Sequence, residues 1–92
     1  MTSETTEKAE ILKPEEYAAM HKAAFRVAFD FLNAHFPPGM DKEYWLKACD
    51  DITEASASMH GDVLTNNLLA AVYSYIESEY FLRRKAYEQI DA

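Results

Sequence analysis

Two glycines and three prolines are the only backbone punctuation in this chain of 92 residues, and their placement constrains the fold more than any other feature. Pro14 stands alone, Pro37, Pro38 and Gly39 stand together, and Gly61 stands alone. An all-β chain needs a turn about every 8–12 residues. A chain so sparsely broken is a helical one, and the three breaks divide it into three helix-length segments.

Period 3.6 accounts for the apolar positions between the breaks. From Pro14 onward, Tyr17, Met20, Ala24, Val27, Ala28, Phe31 and His35 form one seam, and Phe25, Phe29, Leu32 and Phe36 form a second beside it. At about 100° per residue the two seams span roughly 200° of the cylinder, the width expected of a helix packed against two neighbours. Glu15 and Glu16 follow Pro14 and oppose the positive end of the helix dipole, and Pro37 ends the helix. A second helix opens on Asp41 as N-cap and closes before Gly61, with a seam of Trp45, Ala48, Cys49, Ile52, Ala55 and Met59. The third and longest helix is capped by Asp62 or Thr65 and runs to about Gln89. Its seam reads Leu64, Leu68, Val72, Tyr75, Ile76, Leu82, Ala86 and Ile90, with Tyr73, Tyr80 and Tyr87 on a flank. The expected fold is therefore all-α: a three-helix up-down bundle with a long C-terminal helix. Residues 1–12 are read as a flexible N-terminal tail, and residues 13–92 as a single domain.

Composition narrows the function classes. Nine Lys and Arg against 16 Asp and Glu leave a net charge of −7, which disfavours direct binding to a phosphate backbone. One cysteine rules out an internal disulfide framework. The longest apolar run, Leu68 to Tyr73, is far short of the ~20 residues of a membrane span. No basic start followed by an apolar stretch marks a signal peptide. The expectation is a cytoplasmic protein without membrane contact.

Groups that carry chemistry are present but not in working patterns. His21 and His35 are 14 residues apart, about 21 Å along one helix, too far to share an ion. His60 before Gly61 reads as a cation at a helix C-terminus. Cys49 on the second seam reads as a buried, inert thiol, since Asp50 and Asp51 beside it work against thiolate formation. Asp50, Asp51 and Glu54 read as an exposed face served by Lys47. Glu79 falls on the apolar arc of helix three, with Arg83 positioned to pair with it at i,i+4. Two glycines cannot make a phosphate-cradling loop, and no nucleophile–base spacing occurs. Neither an enzyme, nor a cofactor, nor a metal is expected.

The set Ala24-Phe25, Ala28-Phe29-Asp30-Phe31, His35, Pro37-Pro38, Glu43-Tyr44-Trp45, Asp50-Asp51, His60-Gly61-Asp62, Leu68 to Tyr73 and Glu77-Ser78-Glu79-Tyr80 has a recognisable order and spacing. It resembles a family of small uncharacterised helical proteins encoded on mobile elements and prophages of gut bacteria. The resemblance spans roughly Tyr17 to Tyr80, and Val63 to Asn67 departs from the Pro-Phe-containing turn associated with that family. It implies a genomic setting and a fold, and transfers no catalytic or binding residue.

Two surfaces stand out as candidates for a partner. Helix three is longer than helix one, so in an up-down-up bundle its end overshoots the Pro37-Pro38 turn, carrying Tyr80, Phe81, Leu82, Tyr87 and Ile90. An apolar patch there is expected to bury itself against a second copy, with Tyr80, Leu82, Tyr87 and Ile90 as the dimer surface. The second surface is acidic: residues 41–79 carry a net −6, and Glu43, Asp50, Asp51 and Glu54 line the outer face of helix two. The resulting expectation is a non-enzymatic protein–protein interaction module that self-associates. The alternative is an anti-CRISPR-like inhibitor, mimicking nucleic acid and offering its acidic face to a partner with a basic groove.

Overall fold

The computed structural model describes residues 12–91, with side chains described as far as Glu88. The tail expected over residues 1–12 lies outside this range except for Leu12. Three α-helices and no strand occur among the described residues: α1 Pro14–His35, α2 Lys42–Ser58 and α3 Val63–Asp91.

Each helix begins and ends for a local reason. Pro14 enters the first turn of α1, where its missing N–H costs nothing, and the Lys13 carbonyl accepts from the amides of Glu16 and Tyr17. Pro37 forces Phe36 into extended backbone, φ −115° and ψ 133°, and α1 stops. The turn that follows folds tightly onto α2. A Cβ at Gly39 would lie 2.7 Å from the Tyr44 ring, so only glycine fits there. The Tyr44 hydroxyl donates to the His35 carbonyl, tying the first residues of α2 to the last of α1.

Asp41 caps α2 by accepting the Tyr44 amide at 2.9 Å. At the other end His60 and Gly61 both adopt left-handed backbone, φ 56° and 69°, and the Gly61 amide returns to the Ser56 carbonyl. For Gly61 this conformation carries no side-chain penalty. Asp62 rather than Thr65 caps α3. Its carboxylate accepts from both the amide and the hydroxyl of Thr65, each at 3.0 Å, which allows that hydroxyl to be fully buried.

The pairing is up-down-up. Ser56 near the end of α2 meets Asn66 near the start of α3, and Trp45 near the start of α2 meets Tyr80, so these helices are antiparallel. α1 and α2 are antiparallel across the short turn, which leaves α1 and α3 parallel and packed most extensively. Phe31, Ala48, Leu69 and Ile76 form the buried centre, with Val27, Leu32, Ile52, Ala55 and Val72 around it. Ala24, Ala28 and Ala48 are buried at the helix crossings, where small side chains let backbones approach. No described helix is long and apolar enough to cross a membrane.

Two seams differ from expectation. The core line of α3 is Thr65, Leu69, Val72 and Ile76; Leu64 and Leu68 are half-buried, and Tyr75 and Leu82 are 48% and 63% exposed. The second seam of α1 is covered only in part. Leu32 and Phe36 are half-buried, whereas Phe25 and Phe29 are each 58% exposed. One flank of α1 is covered by α2 and part of the other by α3, and the outer edge has no neighbour among the described residues.

Candidate functional site

The acidic surface is a groove between α1 and α2 rather than a plain outer face. Asp51 does not project into solvent as expected. It turns inward and pairs with Nε2 of His35 at 2.9 Å, while Lys47 reaches the same carboxylate at 3.1 Å. His35 is buried, with its imidazole tilted against the Phe31 ring at 4.5 Å. This histidine–aspartate contact joins two helices, so no i,i+4 rule reveals it. Above it the groove continues in two hollows, of about 390 and 310 Å³. The first takes carboxylates from Asp30 and Glu54, and the second from Asp41 and Glu43. Arg26 is bound to Asp30 at 3.1 Å. Glu43, Asp50 and Glu54 remain exposed. Among the described residues no three His, Cys, Asp or Glu side chains are grouped closely enough to hold a metal ion.

On the opposite side of α2, Trp45 is half-buried in an aromatic cluster. Its ring meets Tyr44, Tyr73 and Tyr80 edge to face, at 4.8, 5.9 and 5.2 Å between centroids. Tyr80 is thus drawn partly into the bundle and does not belong wholly to an unpartnered end. Cys49 is exposed rather than buried, with its sulfur 3.8 Å from the Tyr73 hydroxyl. Burial first, then the hydrogen bond to Cys49 and the charges of Cys49, Glu77 and Tyr44, push the Tyr73 hydroxyl up to about 12.

The third surface runs along α1 and α3 on the side away from α2. Phe36 stacks on Tyr75 at 5.5 Å, and the Arg83 guanidinium lies 5.4 Å from the centre of the Phe36 ring. Arg83 is therefore spent on an aromatic face and not on Glu79. Around and beyond this contact α3 exposes large apolar side chains: Leu82 and Tyr87 are each 63% exposed and Phe81 59%, with Phe81 bordering a hollow that Trp45 also lines. Ile90, the remaining member of the expected dimer surface, lies outside the described side chains.

Sequence reasoning missed one signal here. Residues 63–76, the first half of α3, contain no Asp, Glu, Lys or Arg, yet Asn66, Asn67, Ala70, Ala71, Ser74 and Tyr75 are all exposed. A solvent-facing stripe without charge is unusual in a chain that is 27% charged. Counting charges on faces, rather than apolar residues on seams, would have found it.

No protein-family model matches the chain, and no curated protein or solved structure matches it.

Proposed function

We propose that the chain is a small, cytoplasmic, non-enzymatic protein–protein interaction module that self-associates and acts without a cofactor. The observation that carries this reading is the exposure of large apolar side chains where α3 outruns its neighbours: Leu82 and Tyr87 are each 63% uncovered. Large apolar side chains left exposed on more than one side of a helix support an interaction surface, and two-fold dimers dominate among homo-oligomers. The resemblance to a mobile-element and prophage family supports reading such a module in that setting. Sedimentation equilibrium at micromolar concentration tests it. The unmodified chain is expected to sediment as a dimer, and the pair Leu82→Glu and Tyr87→Glu as a monomer with unchanged helix content. A monomeric parent would overturn the reading.

A second reading is favoured by the groove between α1 and α2. Asp30, Asp41, Glu43 and Glu54 line its hollows, and Asp50 lies exposed on the same helix as the last two. Such a row suits a partner with a basic groove and would compete there with nucleic acid, with an association that weakens as salt rises. Changing Glu43, Asp50 and Glu54 together to Gln is expected to abolish that capture while leaving the fold intact. Unchanged capture would leave the acidic groove as a solvated surface.

A further inference from the structure

Ala71, Tyr75, Ser78 and Leu82 follow one another at spacings of four, three and four, the heptad spacing of a helix seam. All four are exposed and none carries a charge. Tyr75 of this stripe stacks on Phe36, which belongs to the same seam of α1 as Phe25 and Phe29. We infer that a second copy docks antiparallel on this α1–α3 face, stripe against stripe, so that the protruding end of each α3 passes over Phe25 and Phe29 of the other copy. The inference rests on the self-association proposed above and names its face and direction.

Register supports it. Phe36 touches both Tyr75 and Arg83, so it is level with about residue 79 of α3. In parallel helices that places Phe25 and Phe29 level with about residues 68 and 72. The midpoint between that level and Leu82 falls between Tyr75 and Ser78. A two-fold axis there brings Leu82 of one copy to the level of Phe25 and Phe29 of the other, and does so twice. Small side chains at Ala71 and Ser78 let the two α3 backbones approach at the crossing.

Area supports it as well. Phe25, Phe29, Tyr75 and Leu82 are 58%, 58%, 48% and 63% exposed. With large side chains of roughly 150–250 Å² each, they leave on the order of 400 Å² uncovered. The small residues of α3 and its protruding end extend this toward the ~800 Å² per partner of a stable interface.

Disulfide trapping tests the direction. With Cys49→Ser as background, Lys22→Cys and Lys85→Cys are introduced together, and Lys85→Cys alone as the control. Within one copy these positions are about 30 Å apart along the bundle, beyond the ~7 Å limit for a bridge. Mild oxidation is expected to give a covalent dimer joined 22 to 85, with the single variant remaining uncrosslinked. A dimer in sedimentation that yields no 22–85 link, or that links 85 to 85, overturns the antiparallel face and leaves self-association standing. A Cys49→Ser parent that sediments as a monomer overturns both.

Discussion

On one flank of α1 a histidine is buried against an aspartate from α2; on the other, two phenylalanines stand 58% exposed beside an uncharged stripe of α3. The expected assignment of polar and apolar groups is reversed between the two. The α1–α2 flank is closed by a short turn, so its geometry is set within the chain, and a polar pair there fixes how the helices meet. Among the described residues the α1–α3 flank has no third element to cover it. Its apolar residues are what a bundle shows where another helix belongs. A buried polar contact marks a finished interface, and exposed aromatics mark an open one.

The largest effect is expected where both flanks share a side chain. Leu69→Ala empties the common centre and should cost about 2–5 kcal/mol, read as a lowered denaturation midpoint. If the two flanks unfold separately, the transition will broaden rather than shift. Next comes the finished interface: Asp51→Ala strands the buried imidazole and should cost about 1–3 kcal/mol by urea titration, discounted because the aspartate is 28% exposed. Asp51→Asn keeps an acceptor for His35 and should lose less.

Alkaline pH probes the third boundary, between α2 and α3. The Tyr73 hydroxyl is raised from 10.0 to about 12, so the folded state holds that proton more tightly than the unfolded chain. Its contribution to stability is fully present below about pH 10 and is lost as pH rises toward 12. Tyrosine absorbance should show Tyr73, and to a lesser extent Tyr44, ionising at higher pH than the other tyrosines in the native protein and rejoining them on unfolding. The smallest effect on the fold is expected at the open flank. Phe25→Ser should change monomer stability by less than about 0.5 kcal/mol while weakening self-association. A large loss of monomer stability would show that this phenylalanine is already packed, and the contrast between flanks would fail.

The helices were legible because their ends are written in local chemistry. Pro14, Pro37, Asp41 and Gly61 act on their immediate neighbours, and the helix boundaries fall where those residues require. The phase of α3 was harder to read. Leu64, Leu68, Leu69, Val72, Tyr73, Tyr75 and Ile76 crowd one broad arc of the wheel within about four turns, so periodicity alone admits more than one seam. Buried Thr65 resolves the phase, and its burial depends on Asp62 satisfying its hydroxyl. The acidic row of Glu43, Asp50 and Glu54 was visible as a face, whereas the inward turn of Asp51 was not, because His35 approaches from another helix. Cys49 was misplaced for a related reason: it lies at the edge of the seam, where the exposure of a side chain depends on how closely α3 sits.

Parallel alignment of the first and last helices has a mechanical consequence. The start of α1 and the end of α3 point to opposite poles of the rod, separated by at least the ~43 Å length of α3. Tension applied between those poles loads the α1–α3 contacts in shear, many at a time, instead of peeling them apart in sequence. Neighbours attached at the two ends would be held apart by a stiff strut, and pulling them would test the rate of unfolding rather than its equilibrium.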